Sequence, residues 1–265
     1  MCRQEKLMLR FMPPSNEEVN RAADLVISAC KTVFTKNLEC VTLKGSTLKG
    51  DFIPGYSDYD FHVFLSPQVM DDERTLKIDY ALRFQKAFGH ARPEDFGASQ
   101  FQIYFISSQR YPADWAPPVK GTFKVFFGKL PASIQKADDE LYIQQAREYL
   151  RMVDSARKTI VGRFVDKPNE RVLPVMRLLG ATLKSYMHSI LILLQKKPQE
   201  TLRLKLNQMI SPVEEGINSE GHFASFFEHV SNWPRVQQDS DYAREAFKEG
   251  IEALSKIVFW SQALM

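Results

Sequence analysis

Residues 41–65 read VTLKGSTLKGDFIPGYSDYDFHVFL, and this stretch decides the fold. Val41 to Lys44 forms a short strand that delivers the chain to the turn Gly45-Ser46. Asp51 to Tyr56, with Pro54 and Gly55, is a loop by composition. Asp58 to Leu65 is a second strand. Its side chains alternate, so Tyr59, Phe61, Val63 and Leu65 make an apolar face, and Asp58, Asp60 and His62 share the other. Two carboxylates in register on one strand face repel each other unless a cation or solvent lies between them. Mg²⁺ is bound mostly through one or two carboxylates plus substrate phosphates. Upstream, Gly45 lets the backbone come close to a phosphate, the Ser46 hydroxyl can donate to it, and Lys49 adds positive charge. Phosphoryl and nucleotidyl transfer need such positioning and charge cancellation, and little covalent help.

Outward from this stretch, Ser15-Asn16-Glu17-Glu18 reads as a capping box that opens a helix. Val19, Ala22, Ala23, Val26, Cys30 and Val33 follow at helical spacing, which makes Cys30 a core residue. Asp71 or Asp72 is expected to cap a further helix that ends at Gly89. Phe101 to Ile106 and Thr122 to Phe127 read as the third and fourth strands, joined by a Pro-rich surface loop from Tyr111 to Pro118 that carries Asp114 and Trp115. Lys120, Lys124 and Lys129 interleave with Phe123, Val125 and Phe127 as on a half-exposed strand.

From about Ala137 the chain reads as helix, with amphipathic stretches near 138–165, 171–195, 199–210 and 240–262 separated by Pro168, Pro198, Pro212 and Pro234. The stretch 171–195 is apolar around much of its circumference and belongs at the centre of a bundle. Strands first and helices afterwards predict an α+β chain: a mixed-sheet domain over 1–133 and an all-α helical bundle over 134–265.

Composition sets limits on partners. A net charge of +3 is too small and too scattered to argue for nucleic acid. Cys2, Cys30 and Cys40 show neither metal spacing nor an even count, so a reduced, cytoplasmic setting is expected. The N-terminus carries no apolar run of signal-peptide length. The most apolar segment, Ser189 to Leu194, falls far short of the ~20 residues of a membrane span, so no membrane partner is expected.

The run GSTLKG-DFIPGY-SDYDFHVFL resembles the signature of the nucleotidyltransferase superfamily that includes aminoglycoside and lincosamide nucleotidyltransferases. The shared pattern is Gly-Ser, three residues, Gly, a short variable loop, then Ser-Asp-x-Asp on a strand. The resemblance implies Mg²⁺-dependent transfer of AMP from ATP to a hydroxyl of a small acceptor, aminoglycoside-like, bound between a sheet domain and a helical domain. It implies metal binding and catalysis by Asp58 and Asp60, nucleotide binding by Gly45, Ser46, Lys49 and Ser57, and it leaves a homodimer open. Members of the family commonly carry a third carboxylate on a later strand, in an apolar-acid-apolar context. Here the corresponding residue, in Phe101-Gln102-Ile103, is Gln102, which cannot neutralise Mg²⁺ or take a proton near neutral pH.

Glu94, Asp95, Asp138, Asp139, Glu140 and Glu148 are the acids available to substitute, and Glu148 is the preferred one because some antibiotic nucleotidyltransferases draw their base from the helical domain. His62 can order a metal-bound water or act as a packing residue; His188 reads as a satisfied core histidine; His222 and His229 have no acidic or cysteine partner at metal spacing. Three other readings stay open: a nucleotide-binding protein that has lost catalysis, a nucleotidyltransferase acting on RNA or protein, and a helical interaction protein with a decayed catalytic module.

Overall fold

The computed structural model describes residues 9–111, 117–132, 138–168 and 172–264. Cys2, Asp114, Trp115 and the expected boundary near residue 133 lie outside the described residues. The chain divides into two compact units, one running from Met12 to Asp138 and one starting at Asp139 that also takes in residues 9–11.

In the first unit, helix α1 (Asn16–Phe34) starts as its sequence dictates. The Glu18 amide donates to Ser15 Oγ at 3.2 Å, and the Ser15 amide donates back to Glu18 Oε2 at 2.7 Å. Two otherwise orphaned donors are thereby satisfied. Strand β1 (Leu38–Lys44) leads into a single helical turn, α2 (Ser46–Lys49), and then into β2 (Tyr59–Leu65). Helix α3 (Ile78–Phe88) is the crossover to β3 (Phe101–Ser107), and β4 (Phe123–Gly128) follows. The sheet order is β3-β2-β1-β4, with β2 and β3 parallel and the other pairs antiparallel. It is a mixed sheet, as the sequence predicts, and a parallel pair needs a crossover of this length.

One face of the sheet is dry. Val41, Leu43, Tyr59, Phe61, Val63 and Leu65 are fully buried there with the apolar stripe of α1, Cys30 included. Phe34 and Phe105 close the layer against Phe84 of α3, with ring centroids 5.9 and 4.9 Å from it. Edge strand β4 is half-exposed, and its Lys124 ammonium lies 4.5 Å from the Phe126 ring.

The capping expectation for α3 fails. Its N-cap is Lys77, with no side-chain cap. Asp72 instead accepts from the Arg74 and Thr75 amides, both at 2.7 Å, and from Thr75 Oγ1. This local turn satisfies the carboxylate six residues before the helix begins, and Asp residues favour such turns and N-caps by the same side-chain-to-backbone chemistry.

The second unit is all-helical: α4 (Asp139–Arg151), α5 (Val153–Val165), α6 (Val172–Gln195), α7 (Pro198–Thr201), α8 (Leu206–Ile217), α9 (His222–Ser231), α10 (Trp233–Gln238) and α11 (Ser240–Leu264). Helix α6 packs against α4, α5, α8 and α11, the central position its apolar circumference requires. The expected helix 138–165 is two helices that meet at Met152. The expected helix 199–210 is split by residues 202–205 and continues to Ile217. Pro212 does not separate helices but lies inside α8, where burial of Met209, Ile210, Val213 and Ile217 outweighs the lost hydrogen bond; Pro198 and Pro234 sit in first turns, where proline costs nothing. Helices α9 and α10 fall between the expected amphipathic stretches. Among the described residues no helix is long and apolar enough to cross a membrane.

Candidate functional site

Strand β1 ends at Lys44, and the chain turns at Gly45 with φ +88° and ψ −157°, a conformation essentially confined to glycine. The register pairs Lys44 with Asp60, which brings Gly45 against the Asp60 carboxylate. A Cβ at position 45 would stand 2.3 Å from Asp60 Oδ2, so the conformation demands glycine and any side chain there would push the Asp60 carboxylate aside. The turn α2 then carries Ser46 and the half-buried Lys49 and closes at Gly50 in the left-handed region. Thr47 Oγ1 donates to Asp58 O at 3.3 Å and ties this turn to the entrance of β2.

The loop to β2 is held by its own residues. The Ile53 amide donates to Ser57 Oγ, and the Ser57 amide donates to Ile53 O, each at 2.9 Å. Ser57 is therefore buried, with its hydroxyl oxygen engaged inside the loop. Asp58 follows. Its Oδ1 accepts a short hydrogen bond from Ser99 Oγ, and its Oδ2 accepts from Gln100 Nε2 at 2.9 Å. Ser99 Oγ also lies 3.1 Å from Tyr56 O, but a hydroxyl has one proton, and the carboxylate is the stronger acceptor.

Residues paired across a sheet share a face, so the register assembles the polar face in rows. Cys40, Phe64 and Ile106 form an apolar row; Thr42, His62 and Tyr104 form the next; Lys44, Asp60 and Gln102 form the last, beside the Gly45 turn. The Lys44 ammonium lies 5.9 Å from the Tyr104 ring centroid, and Gln102 Nε2 donates a short hydrogen bond to Tyr104 Oη. The His62 ring meets Tyr104 edge-on at 5.5 Å.

The electrostatics follow from this crowding. Burial pushes the Tyr104 hydroxyl above its usual range, and the charges of Asp60 and then Asp58 add to that shift, so both carboxylates act on this one hydroxyl. Burial lowers the Lys44 ammonium, and Asp60 partly restores it. Burial, reinforced by Lys44, drives His62 well below its ordinary value, so its ring is neutral at physiological pH.

A protein-only metal cage is not formed. Among the described residues no group of three or more His, Cys, Asp or Glu side chains is placed to hold a metal. The donors nevertheless fit one kind of cation: a hard divalent ion that arrives with phosphate oxygens and water and needs one or two carboxylates from the protein. Asp58 and Asp60 are the carboxylates that would hold such an ion, and Gly45 carries no side chain that would crowd Asp60.

Glu94 and Asp95 are exposed in a 3-10 turn, and Glu148 is exposed on α4 of the second unit, where Gln144 Nε2 donates to it at 2.9 Å. Asp138 and Glu140 are exposed, and Asp139 accepts from Gln199. Among the histidines, His188 Nδ1 meets Lys184 O at 2.9 Å, while His222 pairs with Glu249 at 2.8 Å, a partner 27 residues away. Sequence reasoning gave Lys44, Ser99, Gln100 and Tyr104 no role. The adjacency of Lys44 to Gly45 was the only signal for any of them, since the rest depends on strand register.

No family model and no curated protein matches the chain. Among solved structures the chain is similar to the spectinomycin adenyltransferase AAD(9) from Enterococcus faecialis, crystallised with ATP and spectinomycin. The likeness covers 74% of this chain and 98% of that one, at 14% identity and a TM-score of 0.32, too low to carry an argument about the site.

Proposed function

We propose that this chain is a nucleotidyltransferase that moves a nucleoside monophosphate, AMP from ATP, to a hydroxyl of a small acceptor. The observation that carries the reading is the Gly45 wedge: a glycine-only turn pressed against Asp60, with the charges of Asp60 and Asp58 both acting on Tyr104. Asp58 and Asp60 would hold Mg²⁺, which would cancel charge on the α-phosphate and the leaving pyrophosphate. Ser46 and Lys49 would position the triphosphate on the turn, and Lys44 adds a cation next to Asp60. Ser99 and Gln100 fix the Asp58 carboxylate in place. The unit Met12–Asp138 would carry the chemistry, and the helical unit would read the acceptor, with aminoglycoside-like molecules the first class to screen.

A second reading is favoured by Gln102, which stands in the row beside Asp60 and donates to Tyr104. Neither group takes a proton near neutral pH, so a nucleotide-binding protein without turnover is the alternative. Calorimetric titration of ATP with Mg²⁺ into the wild type and an Asp58→Asn/Asp60→Asn variant tests the site. Metal-dependent binding lost in the variant supports both readings, and pyrophosphate release across an acceptor panel separates them. Absence of metal-dependent binding with any of the common triphosphates refutes both.

A further inference from the structure

The helical unit contains a cavity of about 550 Å³ with a chemistry of its own, remote in sequence from the Gly-Ser turn. It lies between the last turns of α4, α6 and α11 and is lined by Arg147, Arg151, Lys196, Trp260, Leu193 and Leu194, among others. Among the described residues the lining includes three cationic side chains and no side-chain carboxylate. Arg147 and Arg151 are four residues apart on α4 and share a helix face. Arg151 and Lys196 form no ion pair among the described residues, and Arg147 reaches Glu140 only at 3.7 Å, across side chains that are 53% and 70% exposed. Such a pair contributes little and does not discharge the guanidinium. The C-termini of α4, α6 and α11 each bring only a partial negative charge against these three full positive ones.

The apolar part of the lining is equally unspent. Leu194 is 45% exposed, and Trp260 is half-buried and lines the cavity. A ligand pocket of this volume is ordinary for a small molecule held by apolar walls and a few convergent polar groups. Guanidinium groups form bidentate bonds with carboxylates and phosphates, and an indole offers a flat face for stacking. We infer that this cavity binds a small aromatic anion, a carboxylate or phosphate monoester on a ring system, with Arg147, Arg151 and Lys196 on the charged end and Trp260 against the ring. The inference does not rest on the proposed nucleotidyl transfer. A polycationic acceptor is excluded from this cavity by the same charges.

The test is calorimetric titration of the full chain with 2-naphthyl phosphate, 2-naphthoate and neutral 2-naphthol. The phosphate and the carboxylate are expected to bind, and naphthol much more weakly. Arg147→Glu/Arg151→Glu is expected to weaken the anions about tenfold or more, the loss of at least one charge-assisted bond. Trp260→Leu is expected to weaken them while keeping the preference for the anion, and Asp58→Asn/Asp60→Asn to leave them unchanged. Should the double reversal fail to fold, Lys196→Glu and the salt dependence of wild-type binding decide instead, with weaker binding expected in each. Equal binding of naphthol, binding unaffected by charge reversal, or no binding of either anion at millimolar concentration overturns the inference.

Discussion

Gly45→Ala tests the geometry of the site at its tightest point, and its cost divides into two parts. The first is conformational: at φ +88° and ψ −157° residue 45 lies in a region essentially reserved for glycine, where another residue costs about 1–3 kcal/mol. The second is steric, because the new Cβ would meet Asp60 Oδ2 at 2.3 Å, and turning that carboxylate aside into a less favourable rotamer costs about 0.5–1.5 kcal/mol more. Gly97 separates the two parts. It also has a positive φ, +65°, but a Cβ there meets nothing within 4 Å, so Gly97→Ala bears only strain, roughly 1 kcal/mol in this milder αL position. Gly45→Ala should therefore cost about 1.5–4.5 kcal/mol, a drop in melting temperature of roughly 3–18 °C for a chain of this class, against roughly 2–4 °C for Gly97→Ala. Thermal melts of both variants with the wild type measure the difference. On the proposed reading, Gly45→Ala also displaces Asp60 and weakens Mg²⁺-dependent ATP binding beyond its loss of stability. Equal melting temperatures for the two variants would refute the argument that the turn is pressed against Asp60.

Ser99→Ala removes one of the two hydrogen bonds to the Asp58 carboxylate and should cost about 1.5–3 kcal/mol in a denaturant titration, while Gln100→Ala, at a more exposed bond, costs less. His62 has a folded pKa well below its ordinary value, so below about pH 6.5 the unfolded chain binds the proton that the folded chain refuses. Stability from this residue is complete above that pH and declines by about 1.4 kcal/mol per unit as the pH falls further, a slope that should be missing in His62→Gln. Burial pushes the thiols of Cys30 and Cys40 up to about 12, and both side chains are buried. Neither should react with a thiol reagent at pH 8 until denaturant is added; rapid labelling of either in the native chain would contradict its placement.

Much of the first unit is legible because its signals are local. The alternation from Asp58 to Leu65 assigns each side chain to a face without knowledge of its neighbours, and the Ser15 capping box is written within four residues. Local signals failed where two local structures share one chemistry. Asp72 can cap a helix or close a turn onto Thr75, and only the extended residues that follow decide for the turn. Pro212 reads as a breaker until the buried face of α8 is known. The site suffered most from what is non-local. Lys44 meets Asp60 through strand register, Ser99 meets Asp58 across 41 residues, and Tyr104 joins His62 through a parallel pairing built by the α3 crossover. No window of sequence holds those pairs together.

On the proposed reading, those cross-strand pairs also make metal and nucleotide depend on each other for binding. The row Lys44, Asp60 and Gln102 sums to zero charge, whereas an acid in place of Gln102 and a neutral residue in place of Lys44 would give it two negative charges. Asp58 is the remaining carboxylate, and both of its oxygens already accept hydrogen bonds. Free Mg²⁺ gives up its water reluctantly and gains little from one carboxylate beside an ammonium and another already engaged. Triphosphate oxygens change the balance, because they add negative charge to the metal site and give Lys44 and Lys49 a partner. Metal and nucleotide should therefore bind together, with no heat from Mg²⁺ alone at concentrations that saturate in the presence of ATP. Lys44→Met removes the competing cation, so the variant should bind Mg²⁺ alone more tightly than the wild type and ATP without metal more weakly. Tight binding of Mg²⁺ alone to the wild type, unchanged in Lys44→Met, would mean that the lysine does not govern Asp60 and that the row is not the electrostatic unit its register makes it.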